Sequence, residues 1–580
     1  MDKIPSLREF VYIVRNFSLK EKIAFFALAV IFLTTSLWAC WKINNLFLVE
    51  TPAEGETLAE GIIGTPRFIN PVLAISDADR DMTNLIYSGL MRPDNKGGLM
   101  LDMAEKYEIS DDGLIYTFTL KEQLLWQDGE PITSDDVMFT IQEAKDPAIK
   151  SPRRAGWEGV TIEKIDDKSL RFTLKKSYTP FLENTTIGIL PRHIWQEARA
   201  EQMSFSEFNI NPIGSGPYKI KTANKNSSGI VTSYELVPNK NFALGKPYLA
   251  KLITRFYPSE KELLNAYQKG DIYSVSAITP ESAEKIKKSG SIIKNLFLPR
   301  VFGVFFNQNS SKIFAYSEVR YALDYATDKK RIIDEVLQGF GTKTDYPIPS
   351  GVFGALPSEN ENYSIEKAKQ LLEAKGWKFN EEEKVWEKKE NSSSKSKNAE
   401  ILRLEFSLST SDTPDLKKTA ELLKTMWEEM GARVNIKIYE IGDLNQNIIR
   451  PRKYDALLFG EIIGRDPDPF AFWHSSQRND PGLNIALYAN IKVDKLLEEA
   501  RAITNEQKRK EKYEEFQKEV AKDAPAIFLY SPKFIYLMPS EIKGTEKTES
   551  ITVPSERFSQ IHKWYIKTDK VWKIFAKQAN

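Results

Sequence analysis

The stretch LDMAEKYEISDDGLIYTFTLKEQLLWQDGEPITSDDVMFTI, residues 101–141, sets the style of the whole chain. Asp111-Asp112-Gly113 is a turn signal, and Tyr116-Thr117-Phe118-Thr119-Leu120 then alternates with a period of two. That spacing predicts a strand with one face buried. Thr133-Ser134-Asp135-Asp136 offers hydroxyl and carboxylate caps to a helix running through Glu143. Downstream, Leu170-Arg171-Phe172-Thr173-Leu174 repeats the strand pattern after Asp166-Asp167-Lys168-Ser169. The chain is therefore read as mixed α/β.

The same rules extend outward. They predict helices over 259–269, 317–338, 364–375, 413–430, 492–502 and 505–522, and strands over 231–237, 251–257, 301–307, 402–409 and 433–439. The segment EKKENSSSKSKNAE, 387–400, is almost without apolar residues and reads as a flexible insertion. No repeat of fixed period is present, which argues against a solenoid or propeller.

At 580 residues the chain exceeds what one core organises, so several lobes are expected. Lys+Arg 81 against Asp+Glu 80 gives a net charge of +1, which leaves no electrostatic footprint for nucleic acid. One cysteine excludes an intrachain disulfide and a Cys-rich metal site, and the three histidines, His193, His474 and His562, lie far apart. The N-terminus departs from this pattern. Ile23 to Trp41 is a run of 19 residues without a charge, and as a helix it spans about 28 Å, close to a bilayer's hydrocarbon thickness. Lys3, Arg8, Arg15, Lys20 and Lys22 precede it and place the N-terminus inside. The resulting order is a cytoplasmic tail (1–22), a transmembrane signal-anchor (23–41), a polar linker (42–56) and one large domain on the extracytoplasmic face.

The sequence has no HExxH, GxSxG, GxGxxG or GxxxxGK[ST] motif, which, with so few histidines, argues against hydrolase or nucleotide chemistry. Six segments occur in a fixed order instead: EGIIGTPRFINPVLAISDADRDMTNLIYSGLMR (60–92), the opening stretch (101–141), IGSGPYKI (213–220), NKNFALGKPYL (239–249), VFGVFFNQNSSKIFAYSEVRYALDYATDKKRIIDEVLQGFG (301–341) and EKAKQLLEAKGW (366–377). The series resembles the family 5 extracellular solute-binding proteins, the peptide- and nickel-binding components of ABC importers. It carries their DG turn (Asp112-Gly113), WxDG (Trp126-Gln127-Asp128-Gly129), TxDDV (Thr133 to Val137) and GxGPY loop (Gly214, Gly216, Pro217, Tyr218).

The resemblance implies a two-lobe, class II periplasmic-binding-protein-like clamp. One lobe would cover 57–300, completed by 526–580, and the other 301–525. It implies a peptide ligand, ABC permease partners, a monomer, and neither catalytic residues nor a cofactor or metal. A nickel chelate, haem or sugar ligand fits the same fold, and a surface enzyme or non-transport ectodomain is the reading from another class.

In peptide-binding relatives a second-lobe carboxylate receives the ligand ammonium. The matching segment here is YDALLFGEIIGRDPDPFAFWHSS, 454–476, where Glu461, Asp466 and Asp468 are the candidates. Phe459, Trp473 and Trp157 are candidate cleft aromatics, and Arg153 and Arg154 either meet a ligand carboxylate or lie in a solvated loop. Each has a structural reading beside it. Asp468-Pro469 is a helix start, Asp466-Pro467 a turn, Arg465 a partner for Glu461, and the tryptophans core. Cys40, in SLWACW, is the one candidate for lipidation, but Trp38 is bulky where such sites carry small residues, which favours an uncleaved helix.

Overall fold

The structure is a computed structural model that describes residues 7–94, 96–286, 290–358, 363–389, 401–545 and 549–575. In the opening stretch, the strand Ile115–Leu120 pairs antiparallel with Ser169–Leu174, setting Tyr116 opposite Phe172 and Phe118 opposite Leu170. Burial alternates along it as the period of two predicts. Ala104–Ile109 and Val160–Lys164 flank the pair in a four-stranded sheet. Helix Ser134–Lys145 begins where the Thr133 backbone N–H donates to Asp136 Oδ2 at 2.9 Å.

The chain separates into two compact units, Met1–Gly55 with Tyr565–Asn580, and Glu56–Trp564. The larger is organised by a 12-stranded mixed sheet. Its second-lobe end runs Arg433–Tyr439, Glu405–Ser411, Ala456–Ile462, Arg300–Phe306, and its first-lobe end runs Ser274–Ser276, Gly55–Ile63, Leu249–Tyr257, Val231–Pro238, Tyr218–Lys225. One 14-residue strand, Ala526–Pro539, joins them. Its first half pairs with Arg300–Phe306, Ile527 opposite Val304, and its second half with Ser291–Phe297, Tyr536 opposite Lys294. Residues 291–306 cross back beside it, so two chain segments connect the lobes. In the second lobe, Glu405–Ser411, helix Pro414–Met430 and Arg433–Tyr439 form a parallel βαβ unit, and separate apolar clusters cover the two sheet faces.

Two expectations are corrected here. The helix expected over 317–338 is two helices, Ser317–Tyr325 and Lys329–Glu335. The Thr327 hydroxyl donates to Leu323 O, and Asp328 caps the second helix by accepting from Arg331 N at 2.8 Å, so a new start is written between them. The strand expected over 402–409 is likewise two, Ile401–Arg403 and Glu405–Ser411. Most of the insertion expected over 387–400 lies outside the described residues, with 387–389 closing the strand Val385–Lys389.

In the smaller unit, helix Leu19–Phe47 contains the expected span 23–41 and is long and apolar enough to cross a membrane. Ser18 opens it, with Ser18 N donating to Glu21 Oε2 at 2.8 Å. Much of the segment expected as a polar linker, 42–56, has regular structure. The helix continues to Phe47, and Leu48–Pro52 pairs antiparallel with Thr568–Trp572. Leu48 faces Trp572 and Val49 faces Val571, apolar cross-strand pairs that make the segment a strand despite its Pro and Gly. Of the C-terminal residues expected to complete the first lobe, those to Trp564 lie in the larger unit and Tyr565–Asn580 in the smaller.

Candidate functional site

Strand Ala456–Ile462 forms the floor of the second-lobe wall. Alternation sends Ala456 and Leu458 to one core cluster and Leu457 and Phe459 to the other. Glu461, on the same face as Leu457 and Phe459 and opposite Val301, is only 3% exposed. Among the described residues neither of its carboxyl oxygens accepts a hydrogen bond. Burial lifts its pKa to about 8, against a smaller lowering by the nearby Trp473 indole, so at neutral pH it is mostly a protonated acid. Phe459, half-buried, borders a cavity of about 450 Å³ with Glu461, Arg300, Phe302, Thr413 and Tyr530.

The two aspartates that follow are matched within their own lobe. Arg509 Nη1 reaches both oxygens of Asp466 at 3.0 and 2.7 Å, and Arg501 grips Asp468 through Nε at 2.9 Å and Nη2 at 2.6 Å. Burial still raises the Asp466 pKa, with Arg509 opposing it. Trp473 is 0% exposed and sits among Phe305, Tyr488, Phe516 and Phe528. Trp157 is 1% exposed, against Phe172 and Phe181 in the first-lobe core. The six residues named from sequence therefore divide: Glu461 and Phe459 border the cavity, the aspartates sit in ion pairs, and both tryptophans are enclosed by other rings.

Arg465 does not pair with Glu461. Its guanidinium, 7% exposed, reaches into the first lobe to Glu183 at 2.8 Å and Glu556 at 2.6 Å. Burial pushes Glu183 up to about 7 although Arg465 opposes it, and raises Glu556 as well. Beside this triad the Thr179 backbone N–H donates to Arg501 O at 3.1 Å, a second contact between the lobes. The GSGPY loop is a tight backbone approach. Gly216 N donates to Ile86 O at 2.7 Å, and a Cβ on Gly214 would lie 2.0 Å from that oxygen.

Two arginines in this region make no ion pair among the described residues. Arg300 begins its strand at the lobe junction, its Nε buried without a partner, and its pKa is lowered first by burial. Asp77 and Arg80 of the first lobe lie within electrostatic range of it. Arg153 is exposed, yet the protein around it lowers its pKa, with Arg80 adding to the lowering and Glu556 opposing it. Among the described residues neither Arg153 nor Arg300 makes an ion pair. Arg80 and Arg153 border a smaller cavity of about 90 Å³ with Thr83, Tyr87 and Ser559, whose buried hydroxyls lack hydrogen-bond partners among the described residues. Charge-assisted bonds to an anion suit such a wall. Sequence reasoning placed Arg153 between two alternatives and passed over Arg300, because only the folded chain brings residues 80, 153 and 300 to one place.

Among the described residues no group of three or more His, Cys, Asp or Glu side chains is arranged to hold a metal ion.

The profile of the bacterial extracellular solute-binding proteins, family 5 Middle, matches residues 98–483. The oligopeptide-binding protein AppA of Bacillus subtilis is 29% identical over 527 residues, which spans 89% of this chain and 92% of that one. The solved structure of AppA from Bacillus subtilis in complex with a nonapeptide matches with a TM-score of 0.67 at 27% identity, over 89% of this chain and 100% of that one. The ABC transporter substrate-binding protein CtaP from Listeria monocytogenes matches with a TM-score of 0.74 at 26% identity, over 88% of this chain and 99% of that one.

Proposed function

This chain belongs to the bacterial extracellular solute-binding proteins of family 5, and on that premise we propose that it captures peptides between its lobes and hands them to an ABC importer. Support for a peptide ligand comes from the oligopeptide-binding relative and its nonapeptide complex. The observation that carries the reading in this chain is the charge pattern of the two walls. Arg509 and Arg501 neutralise Asp466 and Asp468, and Arg465 meets Glu183 and Glu556, while among the described residues Arg153 and Arg300 make no ion pair, with Glu556 and Asp77 acting on them only at longer range. A peptide's C-terminal carboxylate is the complementary group, held through charge-assisted hydrogen bonds. Of the three candidate acids, Glu461 is the one without an arginine, so it is assigned to the ligand's ammonium end. An ammonium arriving beside it draws the proton off, and ligand uptake is coupled to proton release.

The lobes follow 57–300 and 301–525, with the Ala526–Pro539 strand shared between them. Capture is a shift toward the closed arrangement, in which Arg465 bridges to the first lobe. The chain works as a monomer held by its retained N-terminal helix, with Cys40 exposed on the helix flank rather than acylated. Intact-mass analysis of the full chain and of Cys40→Ser tests that last point, and a lipid adduct lost in the variant would overturn it.

The test of the ligand uses the full chain purified in detergent. It is denatured, and the released small molecules are identified by mass spectrometry. Heterogeneous short peptides are expected. A chain that releases none, and whose melting temperature no peptide mixture shifts, would sink the proposal.

A further inference from the structure

The smaller unit places apolar side chains where its helix ends. The 19 uncharged residues between Lys22 and Lys42 account for about 28 Å, the hydrocarbon thickness, so the last turn of Leu19–Phe47 rises about 9 Å beyond Trp41 into the headgroup layer. Strand Thr568–Trp572 is fastened to that turn. Trp572 Nε1 donates to Asn44 Oδ1 at 2.8 Å, the Trp572 ring stacks on Phe47 with centroids 6.2 Å apart, and Lys573 N donates to Phe47 O at 2.8 Å. Despite these ties Trp572 is 46% exposed, Ile574 76% and Phe575 74%. Trp41, 61% exposed and three residues before Asn44, lies one turn further down the helix, and Leu46, 80% exposed, is a further apolar residue of its last turn. Lys42, Lys570 and Lys573 lie close to these residues in the chain, with Glu50 opposite Lys570 across the strand pair. Aromatic rings with lysines at the end of a spanning helix are the composition of a membrane interface.

We propose that Trp572, Ile574 and Phe575 insert into the outer headgroup–acyl boundary of the same bilayer, so that the C-terminal strand is a second membrane contact beside the helix. The occupant is lipid, argued from continuity with the helix surface. The proposal rests on the reading of Leu19–Phe47 as a membrane span, and the experiment separates the two.

The full chain carrying Cys40→Ser, which has no other cysteine, receives one nitroxide at a time through Phe575→Cys, Leu33→Cys or Ser228→Cys, and is placed in lipid nanodiscs. Collision with oxygen, which concentrates in lipid, is compared with collision with a water-soluble nickel chelate. The label at 33 is expected to be shielded from the chelate and the one at 228 open to it. The label at 575 is expected to show an oxygen-to-chelate ratio at least threefold above that at 228. A ratio at 575 equal to that at 228, with 33 shielded, would overturn the interfacial contact and leave the span standing. Chelate access at 33 would remove the span and the proposal with it.

Discussion

Replacing Glu461 by Gln deletes a carboxyl whose ionisation the fold opposes. Its pKa rises from 4.5 to about 8 on burial, opposed only in part by the Trp473 indole, and among the described residues neither oxygen accepts a hydrogen bond. An acid whose folded pKa is raised contributes stability below its unfolded value, and that contribution is lost as pH rises through the folded value. At 1.36 kcal/mol per unit, the loss for Glu461 is about 1 kcal/mol at pH 5 and on the order of 4 kcal/mol at pH 7.5. Gln keeps the shape without the titration. The variant is therefore expected to gain on the parent chain as pH rises from 4.5 to 8. The assay is urea unfolding of the ligand-free full chain and of E461Q at both pH values, followed by circular dichroism and tryptophan fluorescence. All other titrating groups are common to the pair, so the difference isolates Glu461. A gap between the two that is the same at both pH values, or that shrinks with rising pH, would refute the assignment of a neutral buried acid.

Arg465→Gln leaves Glu183 and Glu556 buried without their partner, at a cost of roughly 3–5 kcal/mol to the bridged arrangement. X-ray scattering should then report a larger radius of gyration without ligand, and an unchanged profile would rule out a latch. Arg153→Gln and Arg300→Gln each remove a charge-assisted bond of about 1.5–3 kcal/mol. Calorimetry should show at least tenfold weaker binding of free-acid peptides and little change for C-terminally amidated ones; equal losses for both would discard the carboxylate site. Trp157→Ala is expected to cost about 3–5 kcal/mol of stability in denaturant titration while the folded fraction binds peptide as before. A selective loss of affinity would return Trp157 to the cleft. Gly214→Ala drives a methyl against the Ile86 carbonyl oxygen 2.0 Å away, so it should lower the melting temperature by several degrees, and an unshifted melt would contradict that approach.

Local elements were legible where a single periodicity and a cap agreed. Tyr116 to Leu120 alternates and lies in a half-buried strand, and the residues 413–430 form a helix from Pro414 to Met430 ended by Gly431 at φ +109°. The helix over 317–338 failed because Asp328 is a cap as well as a helical polar residue. The strand Ala526–Pro539 was not foreseen, since AIFLYSPKFIYLMP is apolar on both faces and contains a proline, so it shows no alternation to read. Glu461 and Phe459 could be named from their segment, but the partners of Asp466 and Asp468 lie 43 and 33 residues away, and no local pattern announces them. The same holds for Arg153 and Arg300, whose lack of an ion pair among the described residues is a property of the folded neighbourhood.

The strand Ala526–Pro539 has a consequence for how the two lobes live and fail. One ribbon is the structural property of both, and its pairing passes from one lobe to the other around Pro532. Neither lobe can be cut out, expressed alone or exchanged with a relative's without tearing a central strand from the lobe left behind. Melting one half strips the other of its neighbour, which favours a single cooperative loss of the whole domain. Recombination that swaps ligand preference between relatives must therefore trade loops or the entire domain, never a lobe.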